Sequence, residues 1–150
     1  MNKAFICFLL FGVFSMQISA TSQIEVPTAV AKSFQKKYPK NTEATWDDLG
    51  DSFEVTFYDE GDVIKEATFG TDGSWKETIT SLEEDELSSV IKKYLNETYD
   101  DYEVYEILFF EKPDENIFYV TIEISEDDED EESESIVIVF DEDGKFLKKE

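Results

Sequence analysis

The chain has 150 residues, of which 37 are acidic and 13 basic, and its formal net charge is −24 at pH 7. Every basic residue is a lysine, and histidine is absent. This charge argues against nucleic-acid binding, because contacts to phosphates supply much of that affinity. Without histidine, and with Cys7 as the single cysteine, the chain cannot form a Ser-His-Asp or Cys-His nucleophilic site or the usual kind of zinc site.

The first twenty residues have the pattern of a signal peptide. Lys3 precedes an apolar run of about ten residues, and the segment ends in a small residue at Ala20. We therefore predict a signal peptide over 1–20 and a mature, cysteine-free domain over 21–150 that is periplasmic or secreted and has no membrane span. An uncleaved anchor helix is disfavoured, because the apolar run is shorter than the roughly 20 residues that a span needs.

The mature sequence begins with a predicted amphipathic helix. Pro27 suits a first helical turn. Val30, Phe34 and Tyr38 follow at a spacing of four and form one apolar stripe. Pro39 ends the pattern.

A second helix is predicted after residue 80. Ser81 and Glu84 have the spacing of a capping box, with serine at the cap and an acid three residues later. The apolar stripe of this helix comprises Leu87, either Val90 or Ile91, and Tyr94.

Each helix is followed by four segments with strand patterning. Phe53, Val55 and Phe57 illustrate it, since they alternate with polar residues as in a strand with one buried face. Most connectors are short turns, so neighbouring strands should be antiparallel. The predicted strands span residues 42–49, 52–58, 63–70 and 74–79 in the first half, and 102–112, 116–125, 135–141 and 144–149 in the second.

The two halves share sequence in the same order. TFGTDGSW at 68–75 matches VFDEDGKF at 139–146, and FEVTFY at 53–58 matches FYVTIE at 118–123. Gly73 and Gly144 coincide in these matches, and both are predicted to adopt the positive φ of a β-turn.

These patterns predict a single α+β domain. It would contain two tandem α-β-β-β-β repeats, at about 26–79 and about 81–149, with two helices packed on one face of an antiparallel sheet of about eight strands. The alternative is two separate small sheets, each under its own helix.

A motif series in the first half resembles a known family. Its parts are Val26-Pro27, Lys37-Tyr38-Pro39, Ala44 and Trp46, Phe53 and Val55, and Phe69, Gly73 and Trp75. In these the chain resembles the exported PepSY-like proteins with a beta-lactamase-inhibitor-like fold. The second half departs from the series, with no proline after Tyr94 and no tryptophan in its first strand. The resemblance implies a periplasmic or secreted protein of two α-β4 repeats with no established enzymatic role, related by fold to proteins that inhibit other proteins.

Aromatic residues on the strands are the candidate binding residues. Trp46 and Trp75 are expected in the core between helices and sheet. Tyr58 and Tyr119 follow the polar phase of their strands and are expected on the open sheet face, where they could anchor a partner. We therefore predict a non-catalytic binding module that contacts a protein or envelope component through this face, with no catalytic or metal-binding residues and no cofactor.

An acidic run stands apart from these patterns. Eight of the eleven residues from Ser125 to Ser135 are acidic. The repeat aligns the run with the connector at 59–62 and predicts an enlarged hairpin loop, where weak calcium binding at 126–134 is expected to be possible. Two alternative functions stay open from the sequence: a carboxylate-based glycan hydrolase, and an acidic envelope protein that binds divalent cations weakly.

Overall fold

The computed structural model describes residues 24–41, 43–59, 63–124 and 134–150. One helix is followed by four strands, and this order then recurs after a single 3-10 turn. The elements are α1 (Thr28–Lys37), β1 (Ala44–Asp48), β2 (Ser52–Tyr58), β3 (Ile64–Gly70), β4 (Trp75–Ser81), the 3-10 turn (Glu84–Glu86), α2 (Ser89–Thr98), β5 (Tyr102–Glu111), β6 (Asn116–Ile124), β7 (Glu134–Asp141) and β8 (Phe146–Lys149).

All eight strands form one antiparallel sheet in sequence order. The two halves join where β4 pairs with β5, from Thr78 opposite Glu111 to Ser81 opposite Leu108. The predicted α+β class, with two helices on one face of an eight-stranded antiparallel sheet, is confirmed. The alternative of two separate sheets is wrong, because backbone hydrogen bonds continue across the β4–β5 boundary.

The first core lies between α1 and the first four strands. Val30 and Phe34 of the helix are buried against alternate residues of β2 and β3. The Phe34 ring lies 5.1 Å from that of Phe57 and 5.4 Å from that of Trp46, both near-perpendicular. Trp46 and Trp75 pack against this core, as predicted.

The second core lies between α2 and strands β5 to β7. Ile91 and Leu95 of the helix are buried against aliphatic residues of those strands. Of the two residues left open for the stripe, Ile91 is the buried one, and Val90 is 52% exposed. Tyr94 stacks on Phe146 of β8 at 5.2 Å, so the last strand also contributes to this core.

The second helix begins later than the sequence predicts. Ser81 is the last residue of β4, where it pairs with Leu108, and it does not cap a helix. The carboxylate of Glu86 accepts a hydrogen bond from the backbone N–H of Glu83 and closes the 3-10 turn. Ser88 is the N-cap of α2 and accepts a hydrogen bond from the N–H of Ile91. Sheet pairing at Ser81 thus overrides its local capping signal.

Two buried threonines of β4, Thr78 and Thr80, lie on the helix side of the sheet. The Thr78 hydroxyl, at the β4–β5 junction, is hydrogen-bonded to the Tyr38 hydroxyl and accepts a second bond from Trp75 Nε1 at 2.9 Å. Burial raises the pKa of Tyr38 to about 12, partly offset by the bond to Thr78. This phenol therefore stays protonated at neutral pH and serves packing.

Two hairpin glycines allow the helices to approach the sheet closely. Gly73 and Gly144 have φ of +85° and +80°, which confirms the predicted turn conformation. A Cβ on Gly73 would lie 2.7 Å from the carbonyl oxygen of Ala29 in α1, and one on Gly144 would lie 3.0 Å from Ser88 Oγ at the start of α2. Each helix therefore begins directly over a hairpin turn that only glycine fits.

The acidic run connects two paired strands. Ile124 of β6 pairs with Glu134 of β7, so the strands that flank the run are antiparallel neighbours. Residues 125–133 lie outside the described residues, and the calcium prediction for 126–134 stays a prediction.

Replacing Gly73 by alanine should destabilise the protein more than replacing Gly50. Both glycines have positive φ, so each substitution costs about 1 kcal/mol of backbone strain. A Cβ added at Gly50 would have nothing within 4 Å, whereas a methyl group at Gly73 would meet helix backbone. We expect G73A to cost about 1–3 kcal/mol more than G50A in urea unfolding. Equal costs would contradict the close approach of α1.

Candidate functional site

The sheet has one covered face and one open face. Phe53, Val55 and Phe57 point toward α1, and Val120 and Ile122, on the same face, point toward α2. The residues between them in sequence point to the opposite side, where neither helix packs. We call this side the open face. It carries Tyr58 and Tyr119, as their strand phase predicted.

The strand register aligns the two tyrosines. Tyr58 pairs with Ile64, while Tyr119 pairs with Leu108 on one side and Val139 on the other. The tyrosines lie four strand spacings apart, about 19 Å. Continuing the β3–β4 register by one residue beyond the Lys65–Thr80 pair brings Ile64 level with Ser81, which pairs with Leu108. We call the residues that lie level with one another across the strands the tyrosine row; it comprises Tyr58, Ile64, Ser81, Leu108, Tyr119, Val139 and Lys148.

Tyr58 stands at a shallow cavity near one edge of the sheet. Its side chain is 60% exposed. The cavity measures about 620 Å³ and is open to solvent. It is lined by Glu43, Ala44, Thr45, Thr56 and Tyr58. The site thus offers a phenol beside hydroxyl groups and one carboxylate.

Tyr119 lies in an apolar patch at the centre of the second half. Its ring is 4.9 Å from that of Phe110, and Phe110 pairs with Ile79 and Ile117 in the next transverse row. Val139 faces the same side but is only 1% exposed, so neighbouring open-face side chains cover it. The apolar patch comprises Ile79, Leu108, Phe110, Ile117, Tyr119 and Val139.

Carboxylates crowd the open face of strands β1 to β4. Asp47 and Glu54 are directly opposite each other on β1 and β2, with Glu66 and Glu77 close by on β3 and β4. Burial, followed by the charges of Glu66, Asp47 and Glu77, raises the pKa of Glu54. We call these four residues the first carboxylate group. Like charges placed opposite each other destabilise a sheet.

A second carboxylate group lies beyond the apolar patch, toward the other end of the strands. Glu103 and Glu123 pair directly, and Glu106 pairs with Thr121. Glu103, Glu106 and Glu123 make up the second carboxylate group. Lys112 contacts the first group, with its Nζ 3.9 Å from a carboxylate oxygen of Glu77. Among the residues that the structure describes, that is the one ion pair formed by either group. Both groups therefore remain largely uncompensated.

In the described ranges, no three His, Cys, Asp or Glu residues are arranged to hold a metal ion. No described helix is long and apolar enough to cross a membrane. Among the described side chains, no buried nitrogen or oxygen lacks a hydrogen-bond partner.

Comparison with known proteins identifies relatives by sequence pattern and by fold. The model of the PepSY-like family, described provisionally as beta-lactamase-inhibitor-like, matches residues 51–148. No curated protein matches the sequence.

Several crystal structures from Bacteroides share the fold. A DUF2874 family protein from Bacteroides ovatus is 22% identical, with a TM-score of 0.71 over 85% of this chain and 89% of that one. A BLIP-like protein from Bacteroides fragilis is 21% identical, with a TM-score of 0.71 over 87% and 89%. A protein from Bacteroides eggerthii, described provisionally as periplasmic, is 17% identical, with a TM-score of 0.69 over 85% and 89%. At these identities the likeness shows the fold.

Replacing Glu54 by glutamine should stabilise the protein at neutral pH. The folded state raises the pKa of Glu54, so its ionised form is disfavoured there. This penalty is present above the raised pKa and disappears as pH falls below the ordinary value of 4.5. We expect E54Q to raise the free energy of unfolding at pH 7 by a few tenths to about 1 kcal/mol.

The pH dependence distinguishes this cause from a general effect of charge. The gain from E54Q should vanish at pH 3, where the carboxyl group is protonated in both states. The control is E25Q, an exposed glutamate that precedes α1. Urea unfolding at the two pH values provides the measurement, and equal gains from both variants at pH 7 would contradict the role of the first carboxylate group.

Proposed function

Because the chain belongs to the PepSY-like family, whose description adds a provisional likeness to beta-lactamase inhibitors, we propose that it is a non-catalytic binding module of the bacterial envelope. Its partner would be a protein, bound at the open sheet face. The family description supports this reading, since an inhibitor of an enzyme acts by binding it.

One observation carries the choice of surface. The register places Tyr58 and Tyr119 in the same row of a sheet face that neither helix covers. Tyrosine is favoured at protein interfaces because it combines a large apolar ring with a polar end. Apolar side chains with Tyr119 at the centre and carboxylates around them resemble the arrangement of a protein interface.

The chemistry of the chain supports binding over catalysis. Histidine, the commonest general base, is absent from the sequence. The one strongly shifted phenol, Tyr38, is held protonated by burial and is hydrogen-bonded to Thr78 on the helix side of the sheet. A group that does not ionise near neutral pH is poorly suited to act as a general base.

An envelope location is supported by the first twenty residues and by a provisionally periplasmic structural neighbour. We propose that a signal peptidase cleaves the chain after Ala20. Protein expressed with its full sequence and recovered from the envelope fraction should begin at Thr21 by intact-mass analysis. Replacing Ala20 by a bulky residue such as phenylalanine should block this cleavage. Recovery of the full-length mass from the wild type would overturn the proposal.

Loss of the tyrosine rings should abolish partner capture. Mature protein carrying Y58A and Y119A should retain at least tenfold less of a partner captured from envelope extract, because aromatic anchors supply about 2 kcal/mol or more each. The partner should be identified by mass spectrometry and then titrated in purified form. The control V90A truncates a side chain that is 52% exposed on α2, away from the open face.

Two results would count against this function. If V90A weakens binding of the purified partner as much as the tyrosine variants do, the open face is not the binding surface. If the protein hydrolyses a polysaccharide, and if a single carboxylate substitution abolishes that activity, the protein is an enzyme.

A further inference from the structure

We propose that the partner presents a cationic surface segment with an aromatic or aliphatic residue at its centre and lysine or arginine residues at both ends. The segment would lie diagonally across the open face, from the first carboxylate group over the tyrosine row to the second. This inference rests on the proposed function, because it assigns a chemistry to the partner of the same surface.

The apolar patch determines the centre of the segment. Ile79, Leu108 and Phe110 are half-buried, and Tyr119 is half-buried beside Phe110. Their remaining exposed surface is covered by no described element of the chain. An apolar side chain laid on this patch would remove both surfaces from water, which is the main favourable term in association.

The carboxylates determine the ends. Glu54 lies four residues before Tyr58 on β2, and Glu123 lies four residues after Tyr119 on β6. Since β2 and β6 run in the same direction, the two carboxylate groups lie at opposite ends of the strands. Four residues of strand span about 13 Å. From a central anchor on β4, Glu54 and Glu123 also lie two strand spacings, about 10 Å, to either side, so each diagonal distance is about 16 Å. A lysine or arginine four extended residues from that anchor adds the length of its side chain to about 13 Å of backbone and would reach either group.

Repulsion within each group gives a cationic partner an energetic advantage. Glu54 is opposite Asp47, and Glu103 is opposite Glu123, with no lysine between the members of either pair. Burial raises the pKa of Glu54 most, and the charges of Glu66, Asp47 and Glu77 raise it further. A lysine or arginine placed between two carboxylates would replace repulsion by attraction.

Other occupants fit less well. A second copy of this chain would bring together two molecules of net charge −24, and their open faces would place carboxylates near carboxylates. Nucleic acid and anionic lipid would be repelled in the same way. A cationic protein segment is the occupant whose charge complements the surface.

The test uses two defined peptides and residue-resolved NMR on the mature protein. The first is an extended nonapeptide with tryptophan at its centre and a lysine four residues away on each side, its other positions being serine and threonine. The second replaces both lysines by glutamate. We expect the lysine peptide to shift backbone amide signals of Leu108, Phe110 and Tyr119, and the glutamate peptide to bind at least tenfold more weakly.

Two charge-matched variants separate the open face from net charge. The first is E54Q/E66Q/E123Q, which removes three open-face carboxylates. The second is E25Q/E97Q/D100N, which removes three exposed carboxylates near the helices. The first variant should bind the lysine peptide about tenfold more weakly than the wild type, and the second less than about twofold more weakly. Each exposed lysine–carboxylate ion pair contributes up to about 1 kcal/mol. Raising the salt from 20 to 200 mM should weaken wild-type binding about tenfold.

A third variant tests the acidic run as a competing site. Replacing residues 126–133 by a short glycine-containing turn should leave the binding unchanged. Loss of binding in this variant alone would assign the peptide to the run and overturn the inference.

The remaining outcomes separate this inference from the proposed function. If the two peptides bind with equal affinity and both shift amide signals on the open face, the partner need not be cationic, and the inference is overturned. The open face would then still be the binding surface. Equal loss in the two charge-matched variants would show attraction by net charge and overturn the inference. Amide shifts confined to the helix side, or no shifts at millimolar peptide, would overturn the inference. The proposed function would still be tested separately, by the binding of the captured partner to the Y58A and Y119A variants.

Discussion

The pairing of β4 with β5 is the constraint on which the rest of the structure depends. Four residues of β4, Thr78 to Ser81, pair with Leu108 to Glu111 of β5 and make one sheet from two similar halves. Without this pairing each half would have a small sheet, with an unpaired edge at the boundary. With it, both helices pack on one side, and the opposite side becomes a continuous surface eight strands wide. The candidate site exists only on that continuous surface.

Alternating patterns made most of the elements predictable. Phe53, Val55 and Phe57 alternate with polar residues because one side of β2 packs against α1, and the same periodicity predicted the side on which Tyr58 lies. The sequence pattern predicts too early a start for α2 because a capping signal is local, whereas Ser81 is held in the sheet by Leu108, 27 positions later. Long-range pairing of this kind leaves little trace in a single sequence.

The sequence revealed the tyrosines of the site more readily than their surroundings. Strand phase alone predicts that Tyr58 and Tyr119 share a face, but their common row depends on the register of every strand pair from β2 to β6. The proximity of Asp47 to Glu54 likewise depends on register. In a chain with 37 acidic residues, no local pattern distinguishes these carboxylates from the others.

The burial of Val139 has a consequence for the entropy of binding. Val139 faces the open side but is 1% exposed, and the rings of Phe110 and Tyr119 lie 4.9 Å apart. These side chains are therefore already packed against one another before any partner arrives. Immobilising a free side chain on association costs about 0.5–1.5 kcal/mol. Much of that cost is met during folding at the apolar patch, so even a short segment that buries modest area could bind there with useful affinity.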